Sequence, residues 1–186
     1  DSAFYGTGST ITSLTLPTTL VTISDNAFRV AGSLQTLNIP ANVETIGARA
    51  FSLNSLPLIS SLTFSAGSKI DWIKDFAFEY SNFSSVIIPA SLTKLGGSAF
   101  ITNSALSQIV FLGNAPGAGG ETSDFNVPNG VTALTTSQNR SSFVTALSTT
   151  WRGITVAESP ATCTSSEIIS GGKKIVKFLS TGLCEW

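Results

Sequence analysis

Leu37-Asn38-Ile39-Pro40-Ala41-Asn42-Val43-Glu44-Thr45-Ile46-Gly47-Ala48-Arg49-Ala50-Phe51 decides the fold, because the chain says it again and again. Leu37-Asn38-Ile39 alternates apolar and polar, as a short half-buried strand does. Pro40 has no backbone donor and ends the ladder. Val43, Ile46 and Ala50 then step by three and four, a helical or 3₁₀ period. The small Ala50 allows close approach to a neighbour and Phe51 fills the space beside it. A unit of about 23 residues cannot bury its own apolar face, so such units must stack.

Outward from this stretch the same phase persists. Ala-Phe recurs at Ala3-Phe4, Ala27-Phe28, Ala50-Phe51, Ala77-Phe78 and Ala99-Phe100, at intervals of 24, 23, 27 and 22 residues. We number the units by what precedes each pair. The first runs from Ile11 through Leu14, Leu16, Pro17, Leu20 and Ile23 to Phe28. The second runs from Leu34 to Phe51, the third from Ile59 to Phe78, and the fourth from Phe83 to Phe100. A fifth opens with Leu106, Ile109 and Phe111 and breaks at Gly113-Asn114-Ala115-Pro116. Fixed-period self-similarity of this length is the mark of a solenoid. Parallel strands are expected at Leu14–Leu16, Leu37–Ile39, Leu62–Phe64, Val86–Ile88 and Ile109–Phe111, with short helices on the opposite side. The expected class is an α/β solenoid.

The pattern L-x-I-P-x-x-[VL]-x-x-I-[GS]-x-x-A-F resembles the BspA-like, or Treponema-type, leucine-rich repeat. Leu37 to Phe51 is similar to it position by position, and Phe111-Leu112-Gly113-Asn114-Ala115-Pro116 resembles that family's usual exit from the array. The third unit departs most, with Ser65 where its sisters have proline and Asp71-Trp72 for a polar pair. The resemblance covers residues 1–116. It implies an extracellular or cell-surface protein engaged in adhesion, and it leaves the ligand open.

Beyond the repeats, residues 117–158 read as a cap that covers the last coil. Gly117 to Phe125 is a loop, with Gly117-Ala118-Gly119-Gly120 a turn. Phe125-Asn126-Val127-Pro128 resembles one more strand ending in proline. Phe143, Val144, Ala146, Leu147 and Trp151 predict an amphipathic helix from Ser141, N-capped by Asn139 or Ser141 and stopped by Gly153. Ile154-Thr155-Val156 closes as a strand. Residues 159–186 form a separate piece: two apolar runs around Gly171-Gly172 read as a hairpin, and Cys163 and Cys184 bracket it as the expected disulfide. Disulfides persist in oxidising compartments, which agrees with an extracellular setting. The start at Asp1 and the end at Trp186 read as cuts in a longer polypeptide, with a following domain beginning near 159.

Composition narrows the chemistry. The 186 residues hold ten basic and eleven acidic side chains, no His, no Met and two Cys. Charged residues are only 11%, and Ser and Thr make up about a quarter of the chain, so the polar surface is mainly hydroxyl. Zero His removes the common general base and the common metal ligand. Ser-His and Cys-His nucleophiles are therefore impossible, and two Cys cannot build a tetrathiolate zinc site. No enzyme activity, cofactor or metal is expected. Balanced charge without runs speaks against nucleic acid, and no apolar run is long enough to span a bilayer. Asp71, Asp75 and Glu79 lack the alternating oxygens of a calcium loop. Asn82-Phe83-Ser84 and Asn139-Arg140-Ser141 match the glycosylation sequon, relevant only in a eukaryotic secretory host.

Two surfaces remain as binding candidates. One is the outward side of the expected sheet, with Ser13/Thr15, Thr36/Asn38, Ser61/Thr63, Ser85/Ile87 and Gln108/Val110; open sheet faces of solenoids commonly bind, though a merely soluble β surface would look the same. The other is the third unit, where Trp72, Phe76 and Tyr80 replace Thr45, Arg49 and Leu53 of the second. Their spacing places them on one helical face, either as interface anchors or packed beneath the insertion at Leu56-Pro57-Leu58. The expected function is a non-enzymatic binding module for a protein or glycan on another cell or matrix, acting as a monomer. The alternatives are a structural spacer, or a carbohydrate- or ice-binding solenoid using Ser/Thr ladders.

Overall fold

The structure is a computed structural model that describes residues 2–6, 11–30, 34–53, 59–119, 126–144 and 148–159, and the backbone of 165–170 and 173–178. In chain order the strands are β1 (Thr22–Ile23), β2 (Thr36–Ile39), β3 (Thr45–Ile46), β4 (Ser61–Phe64), β5 (Trp72–Ile73), β6 (Ser85–Ile88), β7 (Lys94–Leu95), β8 (Gln108–Phe111), β9 (Gly117–Ala118) and β10 (Thr132–Thr135). A four-residue helix α1 (Arg140–Phe143) follows, then β11 (Thr150–Trp151), β12 (Ile154–Glu158), β13 (Ser165–Ser170) and β14 (Lys173–Phe178).

The chain coils into a β-solenoid with little helix. On one side the four-residue strands pair in parallel. β2 pairs with β4, with Leu37 opposite Leu62, and β6, β8, β10 and β12 form a second parallel run in unbroken register. On another side the two-residue strands β1, β3, β5, β7 and β9 form their own parallel ladder, Ile23 opposite Ile46, then Ile73, Leu95 and Ala118. The inward residues of both sides make one core, including Leu37, Ile39, Val43, Ile46, Ala50 and Phe51 of the motif.

Expected helices between the strands are absent from the described part of the repeats. Each Ala-Phe pair sits in a turn of four to six residues whose alternate amides serve different masters. Ala27 N–H and Arg29 N–H donate back to Ser24 and Asn26 within the turn. Asn26, Phe28 and Val30 N–H donate to Ala48, Ala50 and Ser52 of the next unit at 2.8–2.9 Å. An α-helix would keep every amide inside its own coil. Left-handed residues break that pattern: Asn26, Val30, Arg49, Phe76, Tyr80 and Thr102 have φ of 55–62°. Inter-coil bonding thus replaces intra-coil bonding, and the turns become a third ladder.

The Phe of each pair lies in a column. Phe4, Phe28, Phe51, Phe78 and Phe100 stack at centroid distances of 5.1, 5.2, 5.8 and 5.4 Å, with ring planes within 8° of parallel. Phe83 meets Phe78 and Phe100 edge-on. The spacing equals the separation of neighbouring strands within about 1 Å, so one ring per coil fills the column without a void.

Coils do not approach each other equally. Asp25 Oδ1 accepts from Ala48 N–H at 2.8 Å, and Asp75 Oδ1 accepts from Ser98 N–H at 3.2 Å. A glycine lies just ahead of each donor, Gly47 one residue before Ala48 and Gly96 two residues before Ser98. A Cβ on either would lie 2.4 Å from the backbone nitrogen of the opposing aspartate, so only glycine fits. The third unit has Lys74 at this position and faces Ala48, with no such pair. First and second units are therefore closely joined, as are third and fourth.

Several further expectations are corrected. Leu14–Leu16 forms no strand. Leu14 and Leu16 still pack against the core, half-buried beside a cavity of about 340 Å³ lined also by Phe4, Leu20 and Phe28. Gly117-Ala118 is not a turn but β9, since residues without bulk can lie beside Lys94 and Leu95. Residues 126–128 are not a strand: Pro128 turns the chain, accepting from Val131 N–H, and the strand is β10. The helix from Ser141 ends at Phe143, with Val144 extended. Val144 is β-branched and a weaker helix former, and residues 145–147 lie outside the described residues. Trp151 lies instead on β11, which turns through left-handed Arg152 and Gly153 to pair antiparallel with β12. Nor does Asn139 cap α1; its amide donates to the Leu112 carbonyl. Trp151, Phe143 and Phe111 meet with centroids 5.1–5.3 Å apart. Ile154–Val156 and the hairpin of β13 and β14 are strands as expected, the latter pairing Ile168 with Ile175. Cys163 and Cys184 lie outside the described residues.

Candidate functional site

The outward row of the sheet divides into two chemistries. At its N-terminal end Thr36, Asn38, Ser61 and Thr63 are exposed. Thr63 Oγ1 donates to Asn38 Oδ1 at 3.0 Å, and Asn38 Nδ2 donates to Ser65 Oγ at 3.1 Å. Thr15 is exposed too, but its segment is not part of the sheet, so it stands apart from this row. At the C-terminal end the same face turns apolar. Ile87, Val110, Leu134 and Ala157 face one another through consecutive strand registers. Ile87 is 40% exposed, whereas Val110 is 5% exposed; Val110 was expected on the open surface and is buried between larger neighbours. Ser85, Gln108 and Thr132 form a parallel polar row beside it.

Trp72, Phe76 and Tyr80 do not share a helical face, because no helix is there. Trp72 sits on β5, and Phe76 and Tyr80 occupy the two left-handed positions of the third unit's turn. The insertion at Leu56-Pro57-Leu58 lies outside the described residues, so packing beneath it has no observed counterpart. Trp72 instead lies across the short ladder. Its indole Nε1–H donates to the Gly119 carbonyl at 2.6 Å, and Lys74 and Lys94 Nζ stand 4.9 and 5.1 Å from its ring centroid. Arg49 of the second unit lays its guanidinium over Phe76 at 4.2 Å. Tyr80 is 42% exposed.

Arg49, Trp72, Lys74, Asp75, Phe76 and Gly119 together enclose an open cavity of about 270 Å³. Its charges are unevenly neutralised. Lys74 Nζ pairs with Asp25 Oδ1 at 3.2 Å. Burial alone would raise the Asp25 carboxyl, but the Ala48 N–H and the Lys74 ammonium outweigh it and hold the group below its ordinary value. Among the described residues Arg49 and Lys94 face rings and no carboxylate within ion-pair distance. The three carboxylates in sequence series are dispersed: Asp75 is buried on Ser98 N–H, Asp71 accepts from the Thr93 hydroxyl, and Glu79 accepts from Ser52 Oγ at 3.0 Å. They hold no common centre, and among the described residues no His, Cys, Asp or Glu group is arranged to hold a metal. Nor is any described helix long and apolar enough to cross a membrane.

Sequence reasoning found Trp72 and Phe76 but missed their cations. The substitution of aromatic for polar residues in one unit was visible; that Arg49 and Lys94 come from the units on either side is visible only once the coils are stacked.

Residues 1–116 match the family described as BspA type Leucine rich repeat region, in 6 copies. No curated protein matches the chain.

Proposed function

The chain belongs to the BspA-type leucine-rich repeat family, and on that premise we propose that it is a non-enzymatic binding module of a secreted or cell-surface protein. One observation carries the reading. Coil stacking is satisfied by inward residues and by backbone ladders, so the outward side chains are not needed to build the solenoid. Thr36, Asn38, Thr63 and Ile87 on the sheet and Tyr80 on the other side are exposed to a partner, with Trp72 and Phe76 half-exposed beside Tyr80 and Trp72 also holding the Gly119 carbonyl. Residues 117–158 act in this reading as the cap that covers the last coil with Phe143 and Trp151, and a Cys163–Cys184 bond clamps the hairpin in an oxidising compartment.

A direct test is adhesion of cells and of purified matrix proteins and glycans to a surface coated with the protein. Two variants sort the faces: one with Thr36, Asn38, Thr63 and Ile87 replaced by Ala, and one with Trp72, Phe76 and Tyr80 replaced by Leu. Loss of adhesion in one variant, with an unchanged circular dichroism spectrum, identifies the binding face. Adhesion to nothing in the panel by the wild-type protein would favour a spacer and count against the proposal. Hydrolase or transferase activity in the purified protein, abolished by a single Ser or Asp substitution, would overturn the non-enzyme assignment.

A further inference from the structure

Lys94, Lys74 and Arg49 lie on a diagonal. Counted back from the Ala of each unit's Ala-Phe pair, they occupy the fifth, third and first positions of the fourth, third and second units. Each step crosses one coil and moves two residues along the chain. From Lys94 to Lys74 the step crosses strands about 4.8 Å apart and two extended residues spanning about 6.7 Å, roughly 8 Å in all, and Arg49 follows on the adjoining turn. All three cations rest on rings, Lys94 and Lys74 on Trp72 and Arg49 on Phe76. A ring takes the face of a guanidinium and leaves its edge N–H groups to bond a carboxylate or sulfate in bidentate fashion. Among the described residues Lys74 is the one of the three with an ion-pair partner, Asp25, and Asp75 beside the cavity accepts from the Ser98 N–H. In a chain of net charge −1 with ten basic residues, a ring-supported row of three cations is a local concentration of positive charge.

We propose that this line is a binding site for a linear acidic polysaccharide, its carboxylate or sulfate groups meeting Arg49, Lys74 and Lys94 in succession. The inference rests on the binding-module reading and gives it a ligand class. A repeating anion fits a repeating cation because both are periodic along one axis. The neighbouring outward positions of the short ladder supply Thr22 and Thr45, in register with Trp72, and hydroxyls there suit a polyhydroxylated chain. The cavity is open, with Arg49 and Lys74 beside the Trp72 and Phe76 rings, and sugar rings stack on such aromatic surfaces while their acidic groups meet the cations.

Four probes decide it: polygalacturonate, a heparin oligosaccharide, neutral dextran and poly-glutamate, each titrated into the whole chain at two salt concentrations. Polygalacturonate or heparin is expected to bind, with affinity falling steeply as salt rises, and the one that binds distinguishes carboxylate from sulfate. Replacing Arg49, Lys74 and Lys94 together by Gln should weaken binding at least tenfold. Lys69→Gln, away from the line, should leave it unchanged. Phe76→Leu should weaken binding by removing the support of Arg49 while keeping every charge. No binding of either acidic polysaccharide, or equal binding by the triple variant, overturns the proposal, as does poly-glutamate binding as tightly as the polysaccharide. Dextran or matrix-protein binding that survives the triple variant would overturn this ligand class and leave the binding-module reading standing.

Discussion

Trp72 donates its indole N–H to the carbonyl of Gly119, 47 residues away and two coils along, passing over the side chain of Lys94. The bond ties the most divergent unit to the end of the short ladder. It also explains why Gly119 is glycine: a Cβ there would lie 2.8 Å from the Trp72 nitrogen and 2.9 Å from the Leu95 backbone nitrogen.

Trp72→Phe keeps the ring and removes the donor. A loss of about 1 kcal/mol is expected, read by urea denaturation. Gly119→Ala should cost more, and it should remain destabilising in the Trp72→Phe background because the contact with Leu95 persists. Wild-type stability in Trp72→Phe would contradict the role given to the bond.

The phenylalanine column makes a graded prediction. Phe78 is fully buried between Phe51 and Phe100, so Phe78→Ala should cost about 3–5 kcal/mol. Phe4, 46% exposed with one ring neighbour, should cost well under half as much. Comparable losses at the two positions would show that the column is not the axis of stability.

Asn103 is fully buried and its amide donates to the Phe78 and Phe100 carbonyls, each at 2.9 Å. Asn103→Ala leaves both carbonyls without that donor, at a cost of about 1–3 kcal/mol. Amide exchange slowed by the native array should speed up at the third and fourth units first. A variant as stable as wild type would sink this account.

Thr102 is exposed and holds φ of 62°. A β-branched residue is strained there, by roughly 1–2 kcal/mol. Thr102→Asn keeps a side chain that tolerates this region and should raise the unfolding midpoint, by an amount equivalent to a few tenths to about 1 kcal/mol of stability. A lower midpoint would show that the threonine contributes something else.

Acid should weaken the junction of the first and second units. Asp25 is held below its ordinary pKa when folded, so between the folded and unfolded values the unfolded chain binds more protons. The stability this group contributes is complete above about pH 4 and is lost as pH falls through the folded value. Asp25→Asn should flatten that part of the stability–pH curve below about pH 4. An unchanged acid slope would show that other carboxylates dominate it.

How much was legible varies with the range of the interaction. Leu37, Ile39, Val43, Ile46, Ala50 and Phe51 announce their burial because each recurs in phase, and the strands β2, β4, β6 and β8 follow from alternation. The two-residue strands could not be read: Thr45-Ile46 or Lys94-Leu95 is too short to show a period, and Leu20, Ile23 and Ala27 satisfy a helical spacing while lying on a ladder and a turn. Among the turns' left-handed residues Asn26 is of a type that tolerates this region, whereas Arg49, Phe76 and Tyr80 are not, so residue type signalled one and hid the others. At the candidate site, the aromatic change was local and readable, whereas Arg49 above Phe76 and Gly119 beneath Trp72 depend on coils meeting. Val110 looked like its outward neighbours and is buried because Ile87 and Leu134 flank it.

The alternation of Asp25 with Gly47 and of Asp75 with Gly96 bears on how such an array can lengthen. A single unit copied from this chain would bring either an aspartate with no glycine to receive it or a glycine facing a backbone set for something larger. Two adjacent units copied together would carry both halves of the fit. Splicing a pair of units therefore preserves both contacts, whereas splicing a single unit leaves an aspartate or a glycine without its counterpart.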